Sequence, residues 1–190
     1  MAQKRTRNWD FVFYPESAPE NWLEVLEDMR VQFAVSPLHD LDCNPTGEIK
    51  KAHFHAVLCF PSVKTQEQVK RVLEPLNCPI PIPCNSLKGS LEYFWHKNNP
   101  EKHQYDPHDL IIGGGLDIDN ILKATATERY EIIAQMVDWC NTHDIIEYKD
   151  LLDYARQCQP DWFKILCDSG TIVMNRYIES NRNRLRDKDS

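Results

Sequence analysis

Hydrophobic and polar positions alternate with period two near the start of the chain. In NWDFVFY, residues 8–14, Trp9, Phe11 and Phe13 fall on one side and Asp10, Val12 and Tyr14 on the other. That spacing predicts a half-buried strand. The period then lengthens: Trp22, Val25, Leu26 and Met29 recur at helical spacing in SAPENWLEVLEDM, with Ser17 placed to cap and Pro19 in the first turn. VQFAVSPLHD predicts a second strand ending near Pro37, CNPTGE a turn, and KKAHFHAVLCF a third strand, so the segments flanking the turn form an antiparallel pair. TQEQVKRVLEPL reads as a helix opened by Thr65 with Gln68 three residues on, a capping-box spacing. Proline cannot donate within a central ladder, so CPIPIPCN is an edge strand or loop. SLKGSLEYFWHKN predicts a further helix weakened by Gly89, and Gly113, Gly114 and Gly115 then break the pattern in LIIGGGLDIDNI.

Beyond about residue 122 the pattern is almost entirely helical. TERYEIIAQMVDWCNTH, with Thr127 as its expected cap, puts Ile132, Ile133, Met136, Val137 and Cys140 on one face. EYKDLLDYARQC and PDWFKILCDSGTIVMNRYIESNRNRL follow, and the polar end NRNRLRDKDS is expected to fray. Strands joined by short hairpin links, mixed with helices, predict an α+β fold: an antiparallel sheet with flanking helices, then a small all-helical C-terminal domain. The expected boundary divides residues 1–122 from 123–190.

Composition narrows the function classes. A net charge of −7 argues against a protein that coats nucleic acid by bulk charge, so DNA binding would rest on local patches. No apolar run is long enough to span a bilayer, and the basic N-terminus lacks the apolar core of a secretory signal. Seven scattered cysteines, none in a C-x-x-C pair, predict reduced cytosolic thiols and no zinc ribbon.

Chemistry concentrates in SPLHDLDCNPTGEIKKAHFHAVLCF, residues 36–60. Alternation on the third strand points His53 and His55 the same way, about 6.6–6.8 Å apart along the strand. Phe54 and Ala56 would then face a core. An H-x-H pair alone is as easily two hydrogen-bonded strand residues. His39 where the neighbouring strand ends, and a carboxylate just after it, let four side chains reach one divalent cation. Asp42 and Asp40 compete for the carboxylate role. Downstream, LEYFWHKNNPEKHQY places Tyr93, His96 and Lys97 at i, i+3 and i+4 of the expected helix, hence on one face. Tyr93 on its own is as readily a core residue beside Leu91, Phe94 and Trp95.

These three pieces in order, NWDFVFYPESAP, SPLHDLDCNPTGEIKKAHFHAVLCF and YFWHKNNPEKHQY, resemble the plasmid rolling-circle replication initiators, the Rep proteins of the HUH endonuclease superfamily. The resemblance covers most of residues 8–105 and weakens beyond 110. It implies an HUH, ferredoxin-like and RRM-like nuclease domain in residues 1–122 and a helical oligomerisation domain in 123–190. It also implies that His39, Asp42, His53 and His55 ligate Mn²⁺ or Mg²⁺ and that Tyr93 attacks a phosphodiester at the plasmid double-strand origin. The products would be a 5′-phosphotyrosine linkage and a free 3′-OH primer. His96 and Lys97 would support the phosphate or the nucleophile. Lys50, Lys51, Lys64, Lys70 and Arg71, with Lys4, Arg5 and Arg7, can form a local phosphate-binding surface, and each contact would add salt dependence. The expected partners are origin DNA (single-stranded at the nick, double-stranded for recognition), further copies of the chain and the host replication machinery, in the bacterial cytoplasm and away from membranes. Two other readings are a mobilisation relaxase or transposase of the same superfamily, and a non-catalytic metal-stabilised DNA-binding regulator.

Overall fold

The computed structural model describes residues 4–188 and forms two compact units, Met1–Lys123 and Ala124–Ser190. The first unit is built on a five-stranded antiparallel sheet. Its strands are β1 (Arg5–Phe13), β2 (Gln32–Val35), β3 (Phe54–Thr65), β4 (Ile82–Pro83) and β5 (Ile111–Gly113), in the order β4-β1-β3-β2-β5. β3 is central, pairing Phe11 with Ala56 on one side and Phe33 with Leu58 on the other. Pro61 lies where the β1–β3 register slips, between the Asn8–Cys59 and Thr6–Lys64 pairs. That is where a residue without an N–H is tolerated. The proline-rich β4 is an edge strand, as its composition predicts.

The alternation expected for the first strand holds, since Trp9, Phe11 and Phe13 are all buried. With Phe33, Val35, Ala56, Leu58 and Phe60 they face α1 (Trp22–Asp28) and α2 (Gln66–Leu73). The opposite face, bearing Ala34, Val57 and Cys59, packs under α3 (Leu87–Phe94) and α4 (Ile118–Leu122). His55 belongs by parity to this second face, which α3 covers. Phe54 and Ala56 turn to the first core, as expected.

Local signals were read unevenly. Thr65 and Gln68 form the anticipated capping box. The first helix begins only at Trp22 after Asn21, and the Ser17 hydroxyl instead donates to the Tyr14 carbonyl at 3.3 Å. The glycine-rich break contains β5, which the pattern had not suggested. Gly114, at φ +63°, lies so close to Val31 that an added Cβ would sit 2.2 Å from its carbonyl oxygen. Only glycine fits there.

The second unit comprises α5 (Ala126–Thr142), α6 (Tyr148–Cys158), α7 (Pro160–Ile165), a π-helical turn (Leu166–Gly170) and α8 (Thr171–Lys188). Met136, Cys140, Leu151, Trp162, Leu166, Met174 and Ile178 form its core. α5 is capped by Thr125 through a capping box with Glu128, two residues before the Thr127 expected. The polar C-terminal segment is helical as far as Lys188, and its last two residues lie outside the described ones. No helix among the described residues is long and apolar enough to cross a membrane.

Candidate metal and nucleophile centre

The centre forms where two regular elements stop. Pro37 ends the β2 ladder, and Ser36 replaces the lost contacts. Its amide donates to the His55 carbonyl at 2.8 Å, and its hydroxyl accepts from the His55 amide at 2.9 Å. Beyond it the chain rejoins its neighbour through one bridge, His39 to His53, bonded in both directions at 2.9 and 3.2 Å. A second bridge, Cys43 to Ile49, closes the turn predicted between the strands. This pairing sets His39 beside both members of the H-x-H. Ring centroids lie 5.5 Å from His39 to His53, 4.9 Å from His39 to His55, and 4.9 Å from His53 to His55.

The other stop is the end of α3. The expected helix through Asn98 halts at Phe94, so Tyr93, His96 and Lys97 do not share a helical face. His96 takes the left-handed conformation, φ +61°. Its amide bonds the Tyr93 carbonyl at 3.0 Å, and the Lys97 amide bonds the Glu92 carbonyl at 3.0 Å. This is a Schellman termination with histidine where glycine is usual. Turns at Asn99 and Lys102 then fold the chain back over the helix end, with amides bonding the His96 and Asn99 carbonyls at 2.8 and 3.0 Å.

The predicted residues therefore fall into two overlapping groups. His39, His53 and His55 bring ligand atoms within 4.8 Å of one another, and so do His39, Asp42 and His96. Asp42 is 4% exposed while Asp40 is exposed, so Asp42 is the inward carboxylate. His39 and His96 are fully buried. Burial and the neighbouring imidazoles push His55 down to about 3, and burial also lowers His39, so both rings are neutral at pH 7.

Hydrogen bonds assign tautomers in these rings. His39 Nε2–H donates to the Phe94 carbonyl at 2.8 Å and His53 Nδ1–H to the Lys51 carbonyl at 2.7 Å. In neutral His39 this leaves a lone pair on Nδ1, 3.4 Å from Asp42 Oδ2, while His53 Nε2 lies 3.2 Å from His55 Nε2. An unprotonated nitrogen facing a carboxylate inside a protein is a poor arrangement without a cation. The donor set fits a divalent metal: imidazole nitrogens with one carboxylate suit Mn²⁺ and tolerate Mg²⁺ less readily.

Tyr93 is half-buried beside this cluster, its ring 5.2 Å from His55 and 5.1 Å from His96. Its hydroxyl accepts from Lys102 Nζ at 2.7 Å. Lys97 instead lies 3.4 Å from Glu92 Oε1. Tyr105 stacks flat on His39, centroids 4.2 Å apart and planes 6° off parallel. Its hydroxyl accepts from the Leu41 amide at 3.1 Å and donates to Asp42 Oδ1 at 3.3 Å, and burial pushes its phenol up to about 12. Lys102 had no role in the sequence pattern, and the contacts of Tyr105 with His39 and Asp42 were not foreseen there. The only hint is NNPEKHQYDP, whose turn-formers imply a chain that doubles back.

Of the basic residues, Lys50 and Lys51 adjoin the cluster. Lys51 lies 4.4 Å above the Tyr14 ring and pairs with Glu16. Lys64 stands nine positions further along β3 than His55, about 30 Å at full strand rise. Lys70 and Arg71 are exposed on α2, Lys70 facing Glu67 at 3.8 Å. The cations thus divide between the two ends of the sheet.

Fold and site together define an α+β domain that sets an imidazole–carboxylate cluster next to a half-buried phenol. Comparison with known proteins places it. The chain belongs to the plasmid replication protein family: the model of that family's origin-binding domain matches residues 1–119, and that of the C-terminal part of replication protein RepB matches residues 126–183. A replication protein of Staphylococcus aureus is 44% identical over 179 residues, covering 94% of this chain and 90% of the relative. The replication protein RepB of Lactiplantibacillus plantarum is 38% identical over 180 residues, covering 94% and 82%. A RepB of Streptococcus agalactiae is 27% identical over 164 residues, covering 81% and 78%. The chain is a plasmid replication initiator with an origin-binding domain.

Proposed function

We propose that the first unit nicks one strand of its plasmid origin through Tyr93 and so primes rolling-circle replication in the HUH manner. The observation that carries this reading is the placement of half-buried Tyr93, its hydroxyl tied to Lys102 at 2.7 Å and its ring 5.2 Å from that of His55. The phenol oxygen forms a bond to phosphorus, the bond from phosphorus to the 3′ oxygen breaks, the phenolic proton passes to solvent, and the departing 3′ oxygen takes one from water. A 5′-phosphotyrosine and a free 3′-OH result. The linkage retains the transfer potential of the broken bond, so the strand can be rejoined without ATP. Lys102 holds the nucleophilic oxygen and offsets negative charge developing around it. A divalent cation, Mn²⁺ or Mg²⁺, held among His39, Asp42, His53 and His55 would act as a Lewis acid toward the phosphate oxygens. Lys50 and Lys51 would guide the backbone near the nick. Lys64, Lys70 and Arg71 would meet duplex further out. The helical unit would join copies of the chain on the origin.

The test is incubation of the full chain with a single-stranded origin oligonucleotide and Mn²⁺, followed by mass spectrometry. An adduct on the Tyr93 peptide, absent from Tyr93→Phe while that variant still binds origin duplex, is the expected result. An undiminished adduct in Tyr93→Phe would remove Tyr93 from the role.

A further inference from the structure

Three buried side-chain polar atoms among the described residues lack a hydrogen-bond partner, and two of them face the same carboxylate. His39 Nδ1 lies 3.4 Å and His96 Nε2 3.7 Å from Asp42 Oδ2, with exposures of 0%, 0% and 4% for the three residues. We propose that His96 is a further ligand of the same divalent cation, its Nε2 completing with His39 Nδ1 and Asp42 Oδ2 an inner locus on the buried side of the cluster. The inference rests on the reading that this cluster binds a divalent metal, and extends it to a residue outside the H-x-H pattern.

Geometry carries it first. Nitrogen and oxygen ligands at about 2.0–2.2 Å from a cation stand roughly 3.0–3.6 Å from each other. The 3.4 Å distance from His39 falls in that range and the 3.7 Å distance from His96 lies just beyond it, and both are too long for good direct hydrogen bonds. The second argument is direction. His96 Nδ1 is committed to the His103 carbonyl at 2.7 Å, as His39 Nε2 is to that of Phe94, so each ring turns its other nitrogen inward. Such carbonyl partners are the usual outer contacts of metal-bound histidines. Third, the Asp42 Oδ1 atom is held by the Tyr105 hydroxyl, which leaves Oδ2 for the gap. Finally, a non-glycine residue in the left-handed region at a helix end costs stability, and a side chain with work to do there explains why histidine stands in place of glycine.

The competing arrangement is a protonated His96 ring clamped on Asp42 without any metal. Titration of the DNA-free, metal-free chain with Mn²⁺ by calorimetry separates the two, using wild type and His96→Asn. Asparagine tolerates the left-handed conformation, so the helix end is kept. The expected result is Mn²⁺ affinity at least about tenfold weaker in His96→Asn, a loss no smaller than that seen for outer-sphere changes. The Mn²⁺-induced rise in melting temperature should shrink to match. Unchanged or tighter binding overturns the proposal, whatever happens to the metal-free melting temperature, because a clamp competes with the metal for Asp42 and its removal would not weaken binding. Should His96→Asn fail to fold, ¹⁵N spectra of the wild-type imidazoles with Zn²⁺ decide: a shifted His96 Nε2 supports the locus and an unmoved one ends it. Wild type that binds no Mn²⁺ at all sinks the metal reading itself. Equal binding by wild type and His96→Asn sinks only the inner locus, and adduct formation by Tyr93 is scored separately.

Discussion

Replacing Lys102 with methionine removes the charge that sits on the Tyr93 hydroxyl while keeping most of the aliphatic stem. The ammonium lies 2.7 Å from that oxygen and 4.5 Å from the ring centroid. A hydrogen bond involving a charged group contributes about 1.5–3 kcal/mol, and each 1.36 kcal/mol is about tenfold in rate. Tyr93 and Lys102 are both only half-buried, so water screens part of this interaction. Taking the lower half of the range, Lys102→Met should slow the covalent step by about 10- to 50-fold. Lys97→Met is the control, because Lys97 faces Glu92 and Glu92 keeps Asn98 as a donor at 3.0 Å. Its effect should stay within about twofold, as for a surface change. Protein in excess over a labelled single-stranded origin oligonucleotide, quenched at intervals, gives the rate of adduct appearance on a denaturing gel. Mn²⁺ affinity measured beside it excludes an indirect effect through the cluster. Equal rates for wild type and Lys102→Met, or a large loss in Lys97→Met alone, would refute the assignment.

Two further predictions concern the scaffold. Burial raises the Asp10 carboxyl above its usual 3.8, against hydrogen bonds from Ser90 and Cys84 that lower it. The folded chain therefore keeps this proton at pH values where the unfolded chain has lost it. The stability it contributes is present below 3.8 and disappears as pH rises through the folded value. The unfolding free energy of wild type minus that of Asp10→Asn should accordingly fall with rising pH across that window and then level off; urea melts at a series of pH values measure it, and a flat or rising difference refutes it. At α5, Thr125→Ala should cost about 0.5–2 kcal/mol by removing the cap, whereas Thr127→Ala should be nearly neutral. Thermal melts that rank the two in the opposite order would show that the cap is misplaced.

The sequence was most informative where one face of a regular element is buried. Trp9, Phe11 and Phe13 had to lie together because period-two alternation leaves them no other side. The same parity put His53 and His55 on one face, and the turn before them brought His39 alongside. Helix starts were less legible, since several polar residues can cap and only tertiary contacts choose among them. Ser17 serves Tyr14, and Thr125 wins over Thr127 because its spacing to Glu128 completes the box. The strand β5 was hidden because three residues, the last a glycine followed by two more, carry almost no periodic signal. The contacts of Lys102 and Tyr105 were hidden for another reason: they depend on a chain reversal after α3, and neither residue lies at a helical or strand spacing from what it touches.

That reversal also explains why Tyr93 is usable. A tyrosine inside a longer helix packed on the sheet, as the pattern LEYFWHK first suggests, would have its ring covered by the next turn. Here the helix frame still fixes the Tyr93 backbone, but it ends one residue later, and the left-handed residue at His96 swings the following segment aside. The same turn drops the His96 ring toward Asp42 and brings Lys102 back to the phenol. One backbone irregularity therefore shapes the surroundings of the Tyr93 phenol, supplies its charged neighbour and places an imidazole beside Asp42. A left-handed residue other than glycine costs roughly 1–2 kcal/mol, and the two Schellman hydrogen bonds offset part of that. If the helix were regularised through His96, Tyr93 would lose both neighbours at once, so the termination belongs to the site as much as any side chain does.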